Sequence, residues 1–136
     1  ARKCISYLTI EFKGKIPIRF RKKIGNKIYG CDDCLSVCPW NKFAKTSNEF
    51  RFKDKRYDLE LSSLLKLTDN QFRKTFSRSP VKRIGRDRFI RNCCIAAGNS
   101  KNKTLIIYLK NLNKNEQSDI IKDASLWAIK ELEKIN

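Results

Sequence analysis

Apolar and polar residues alternate differently in the two halves of the chain. From Leu59 onward the apolar positions recur at helical spacing. Leu61, Leu64, Leu65 and Leu67 predict a short helix. Thr68-Asp69-Asn70-Gln71 has the form of a capping box, so a second helix is predicted from just after Thr68 to about Phe76. Ser79-Pro80 interrupts the pattern. From Asp87, residues Phe89, Ile90, Cys93, Cys94 and Ala97 fall on one face of a longer helix, which Gly98-Asn99 is expected to stop. Thr104 to Leu112 predicts another helix. Ser118 is placed to cap the last, with Ile120, Ile121, Ala124, Trp127, Ala128, Leu132 and Ile135 turned inward.

Before Leu59 the rhythm is irregular. Cys4 to Glu11 suits either an extended piece or a short helix, and Ile18 to Ile24 is too short to assign. Gly25-Asn26 signals a turn. Asn41 to Tyr57 has no period and carries the charged run Arg51 to Arg56, so it is expected to be a linker packed on the surface. The expected organisation is a cysteine-bearing part at 1–45, a linker with short helices at 46–78 and a helical part at 79–136. In the last part, Ile90 to Ala97 lines up with Ile121 to Ala128 at an offset of 31 residues. An apolar, a basic, a polar and two small residues recur in order, as in a short helical repeat whose helices bury their faces against their neighbours. The period resembles that of the compact HEAT-like repeats of phycobilin lyases. The fold class expected is mainly α: an irregular ferredoxin-like segment followed by short HEAT-like repeats.

Charge narrows the function. Lys and Arg total 31 against 14 Asp and Glu, a formal +17 in 136 residues. Such a surface repels itself unless it meets a polyanion, and nucleic acid is the usual one. No apolar run approaches the ~20 residues of a membrane helix, and no secretory pattern opens the chain. There is no Met, so a fragment or a processed chain is expected.

Six Cys stand beside no His. That excludes His-based catalysis and Cys–His zinc fingers. A cytoplasmic, reducing compartment disfavours disulfides and favours metal binding by clustered Cys. Cys31-x-x-Cys34-x-x-x-Cys38-Pro39 carries the chemistry. Two thiolates at that spacing can reach one metal centre as their loop curls round it. In two-cluster ferredoxin-type sites the Cys before Pro ligates the other cluster. A four-Cys zinc site from Cys4, Cys31, Cys34 and Cys38 is the rival reading. Cys93 and Cys94, on an apolar helical face, read as small core residues.

Ala1 to Glu11, Ile24 to Cys34 and Val37 to Asn41 closely resemble the tRNA epoxyqueuosine reductase family, as do Ser79 to Arg83, Ile90-Arg91-Asn92 and Gly98-Asn99. The resemblance covers nearly the whole chain. It implies an oxidoreductase that reduces epoxyqueuosine to queuosine in a tRNA anticodon loop, using cobalamin and two [4Fe–4S] clusters. By the same resemblance Cys4, Cys31 and Cys34 belong to one cluster and Cys38 to the other. The remaining ligands, the cobalamin domain and the proton donor lie in segments this chain lacks, so the chain alone is expected to be inactive. An electron donor and an N-terminal portion, carried on a separate chain or the same one, are the implied partners. One position departs from the family pattern: Phe12 stands where His commonly follows Thr-Ile-Glu.

Lys82, Arg83, Arg86, Arg88 and Arg91 form the densest ordered basic stretch and are the expected contacts to the tRNA backbone. Arg19, Arg21, Lys22 and Lys23 form a second. Trp40, next to Pro39, is the candidate for stacking on a base or a cofactor, with core packing as its alternative. Trp127 reads as core. Against the enzyme stand a non-catalytic RNA-binding module from a truncated or split gene and a small electron-transfer protein.

Overall fold

The computed structural model describes residues 2–45 and 59–135. The proposed linker's charged run lies outside them. Among the described residues eight α-helices follow in order: α1 Ile5–Ile10, α2 Ile18–Ile24, α3 Asp33–Ser36, α4 Leu61–Leu64, α5 Asp69–Thr75, α6 Gly85–Asn99, α7 Ile106–Asn115 and α8 Asp119–Glu133. Short 3-10 turns occupy Pro39–Phe43, Pro80–Ile84 and Lys103–Leu105. No strand occurs among the described residues. Cys4 to Glu11 and Ile18 to Ile24, both undecided from sequence, are helical.

The capping box at Thr68 forms as its sequence predicts. The Gln71 N–H donates to the Thr68 hydroxyl and the Thr68 N–H donates to Gln71 Oε1 at 2.9 Å. α5 then delivers Phe72 and Phe76 onto Phe89, three rings with centroids 4.9–5.3 Å apart. Ser118 stands at the start of α8 as expected but does not cap its first turn. Its side chain makes no cap bond. Glu116 Oε1 instead accepts the N–H groups of Gln117 and Ser118.

α6 is the centre of the molecule. The sequence reading gave it one buried face, yet every residue from Phe89 to Gly98 is buried. α1, α2, α4, α5 and α8 all pack on it. The two segments that align at an offset of 31 residues belong to α6 and α8, which lie side by side. Arg86, at the start of α6, pairs with Glu116 just ahead of α8 at 2.8 Å. Near its end, Gly98 meets Trp127 and Ala128. The matched helices therefore run in the same direction, with α7 packed on α8 between them in sequence.

Gly98 needs a different reading from a helix stop. It sits inside α6, and a Cβ there would lie 2.7 Å from a Trp127 ring carbon and 2.9 Å from the Ala128 Cα. The helix does end at Asn99, whose side-chain amide donates to the carbonyls of Arg21 and Gly25, both at 2.9 Å. Asn99 thus closes the C-terminus of α2 against the end of α6. Arg21 locks α2 from the other side. It donates to Ile16 O at 2.8 Å, forms an ion pair with Asp123 on α8 and stacks over Trp127. α2 is too short to hold itself, and these anchors replace the turns it lacks.

Gly98→Ala tests the helix contact. Helix propensity alone favours Ala by about 1 kcal/mol, whereas overpacking against backbone costs roughly 1–3 kcal/mol. Urea unfolding should show a lower midpoint with unchanged slope; a raised midpoint would mean that the two helices are not this close.

Candidate metal centre and nucleic-acid face

Four thiols are presented by the first 45 residues, all free. Cys4 is exposed and sits immediately before α1 in extended conformation. Cys31 is half-buried and follows Gly30, whose φ of +79° suits glycine. Cys34 is exposed on the single turn of α3. Cys38 is half-buried and directly precedes the turn that Pro39 opens. Pro39 supplies the first position of that turn, where its missing N–H costs nothing.

An all-thiol donor set suits iron–sulfur clusters or zinc. The accessible, unpaired thiols fit such a group in kind. They do not complete one in number: no group of three or more Cys, Asp or Glu among the described residues lies close enough to hold a metal ion. Cys93 and Cys94 take no part. Burial pushes both thiols up from their ordinary range, so they stay protonated and pack as core.

A clamp from α6 fixes α1 and the strip that precedes Cys31. Arg88 donates to Ile10 O at 2.9 Å. Arg91 donates to Leu8 O at 2.9 Å and to Phe12 O and Gly14 O at 2.7 Å. Asn92 Oδ1 accepts from Arg91, and its amide nitrogen donates to Thr9 O and Ile28 O, both at 2.8 Å. The Gly30 N–H donates to the Thr9 hydroxyl at 3.1 Å. The carbonyls that α1 leaves open at its C-terminus are thus met by side chains of α6. The same network ties α1, which Cys4 leads, to the strip that leads into Cys31.

This arrangement corrects the basic-face reading. Arg91 is fully buried and cannot touch a phosphate. Burial, then the charges of Arg88 and Arg21, push its pKa down to about 10, so it stays charged at neutral pH. Arg86 donates to Leu67 O at 2.6 Å and pairs with Glu116. Arg88 is half-buried over Ile84 O and Ile10 O. Lys82 and Arg83 remain exposed, Arg83 pairing with Glu11 at 2.8 Å. Tyr29 donates to Pro80 O at 3.2 Å, so this basic turn is docked beside the cysteine-bearing part. In the second stretch Arg21 is buried and Lys22 pairs with Glu131, leaving Arg19 and Lys23 exposed.

Trp40 is 76% exposed, so the core-packing alternative fails for it. With Leu35, Val37 and Phe43 it forms an exposed apolar strip around Cys34 and Cys38. Its ring lies 5.8 Å from that of Phe43. Phe12 is half-buried, with its ring centroid 6.3 Å from Tyr7. Trp127 is buried, as expected. A sequence signal for the clamp did exist. Arg88, Arg91 and Asn92 stand at i, i+3 and i+4, and no charge follows Arg91 before Lys101. A helix without a charged face is a buried one.

Residues 1–41 match the family model of a 4Fe-4S double cluster binding domain. An epoxyqueuosine reductase of Francisella cf. novicida is 44% identical over 95% of this chain. That of Pseudomonas aeruginosa is 36% identical over 96%. The chain is homologous to the epoxyqueuosine reductases. It spans 37% of the length of these two relatives. The solved epoxyqueuosine reductase of Streptococcus thermophilus superposes on all of it with a TM-score of 0.80 at 31% identity, over 36% of that structure. Another, solved with an epoxyqueuosine-modified tRNA stem loop, shares the fold with a TM-score of 0.67 at 24% identity. No helix among the described residues is long and apolar enough to cross a membrane.

Glu116 gives the structural role of Arg86 a pH signature. Burial favours its neutral form, but hydrogen bonds from Arg86 and from the N–H groups of Gln117 and Ser118, with the Arg86 charge, outweigh it and hold the carboxyl below its ordinary 4.5. Its contribution is therefore complete above the unfolded value and lost as pH falls through the lower folded one. Urea midpoints of the wild type and Glu116→Gln should differ at pH 6 and converge as the pH falls through the folded value, itself below the ordinary 4.5. Parallel curves would remove Glu116 from the acid response.

Proposed function

We propose that this chain is the cluster-bearing and RNA-facing part of an epoxyqueuosine reductase, which reduces epoxyqueuosine to queuosine in a tRNA anticodon loop. The observation that carries the reading is the joint match of sequence and fold along nearly the whole chain, with four accessible thiols at the cluster-type spacing. Cys4, Cys31 and Cys34 serve one [4Fe–4S] cluster and Cys38 a second. Bound there, the clusters supply one-electron transfer from an external electron donor. The remaining ligands, the cobalamin site and the proton donor belong to the part of the relatives that this chain does not match. This chain's own residues join the segment that Cys4 leads to the strip before Cys31 and offer the RNA a basic turn beside them, and the three thiols close on one cluster with the completing segment. The helical part at 79–136 is a pair of HEAT-like repeats, and the enzyme works in the cytoplasm.

The tRNA stem loop held by a relative supports an RNA partner. With Arg86, Arg88 and Arg91 engaged in the fold, the phosphate contacts of this stretch reduce to Lys82 and Arg83. A rival reading, a non-catalytic RNA-binding module, draws on the incomplete ligand set.

Anaerobic reconstitution separates the two. The protein carrying the completing segment should take up two clusters and convert an epoxyqueuosine-modified stem loop. The 136-residue chain alone should hold fewer than two by iron and sulfide count. Two full clusters on this chain would overturn the ligand assignment. For the RNA, Lys82→Ala/Arg83→Ala should lower the log–log salt slope of stem-loop binding by about 0.7 per lost contact. An unchanged slope would move the interface elsewhere.

A further inference from the structure

We infer that Asn92 and Thr9 are positioning residues for the cluster served by Cys4, Cys31 and Cys34, an inference that rests on the cluster reading above. The side-chain amide of Asn92 bridges two segments that are distant in sequence. It donates to Thr9 O within α1 and to Ile28 O in the strip before Cys31, both at 2.8 Å. Thr9 adds a second bridge, since its hydroxyl accepts the Gly30 N–H at 3.1 Å, one residue before Cys31. Both residues are fully buried. Neither can turn to another partner, because Arg91 holds Asn92 Oδ1 and the Thr9 hydroxyl donates back to Ile5 O at 2.9 Å.

Cys4 and Cys31 belong to separate segments, and Cys34 follows Cys31 on the same loop. The spacing between Cys4 and the Cys31–Cys34 pair is therefore set by the joint between α1 and the 28–30 strip. Two side chains make its hydrogen bonds. A thiolate held off its position strains the metal–sulfur bonds or leaves a site open, and outer residues that orient ligands typically change metal affinity by about 10–100-fold. Thr9 also takes the Gly30 N–H beside Cys31 and so withdraws it from the sulfurs, whose hydrogen bonds help to set the potential.

The test compares variants in the protein that carries the completing segment, reconstituted with both clusters. Thr9→Val removes the acceptor for Gly30 at constant shape, and Thr9→Ser restores it. Asn92→Asp removes both donations at constant shape. Asn113→Ala is the control: it removes another amide, which donates to Lys122 O and Ser125 on the far pair α7–α8. Readouts are the electron paramagnetic resonance spectrum of the reduced protein, its midpoint potential and the rate of iron loss to a chelator. The expected result is an altered spectrum, a shifted potential and about tenfold faster iron loss in Thr9→Val and Asn92→Asp, with Thr9→Ser and Asn113→Ala like the wild type. Spectrum, potential and iron loss that follow thermal stability alone, with Asn113→Ala and Thr9→Val indistinguishable, overturn the inference. Should Asn92→Asp fail to fold, the Thr9 pair decides. A wild type that takes up no iron or sulfide refutes the cluster reading itself, before any variant is compared.

Discussion

The structure depends on one buried cation that has no carboxylate partner. Arg91 is fully enclosed, yet no acid lies among its hydrogen-bond partners: three are backbone carbonyls and a fourth is the amide oxygen of Asn92. Removing a guanidinium from water costs several kcal/mol. Here the cost is offset by a fork of donors matched to carbonyls that α1 and the following turn leave open. Those carbonyls are otherwise buried without partners, so each side solves the other's problem. The consequence reaches beyond Arg91. By fixing the oxygen of Asn92, it leaves the amide nitrogen free to join α1 to the strip before Cys31. The metal-binding part and the helical part are therefore not two cores laid together. The clamp belongs to the interior of both, and the boundary between them passes through hydrogen-bonded side chains.

The same economy governs the surface charge. Asp123, Glu116, Glu11 and Glu131 are each engaged by a basic side chain from another part of the chain. These acids serve as joints between elements, each cancelling the charge of the cation it engages. Lys82, Lys23, Lys101 and Lys103 stay exposed. A formal +17 then overstates the cations available to a polyanion, but it does not change the sign of the face presented.

Local rules were legible in the sequence where the chain itself supplies the partner. Thr68 and Gln71 are three residues apart, and their capping box forms as written. Two of the failures, at Arg91 and Gly98, share one cause, since each concerns a residue whose partner is remote. Arg91 reads as a surface charge because its acceptors at Leu8, Phe12 and Gly14 lie about 80 residues away. Gly98 reads as a terminator because nothing nearby announces that Trp127 will occupy the space of its Cβ. In α6 the repeat itself was the better guide. A helix that recurs in register with α8 must pack on it, and its opposite side must face the preceding segment.

The two thiol arms then differ in how far this chain determines them. Cys4 and Cys31 flank a joint made of buried, fully partnered side chains, so their separation is built into the fold. Cys38 stands in a stretch held by local bonds: the Cys38 N–H to Leu35 O at 3.1 Å, the Asn41 side chain to Leu35 O, and Lys27 to Asp33 at 3.2 Å. Around it Val37 and Trp40 are mostly bare to solvent. Apolar side chains beside a thiolate shape its chemistry only once water is excluded, because an uncovered strip leaves the sulfur in a high-dielectric medium. The position of Cys38 thus depends on contacts beyond the clamp, and so does the polarity around both Cys38 and the exposed Cys4.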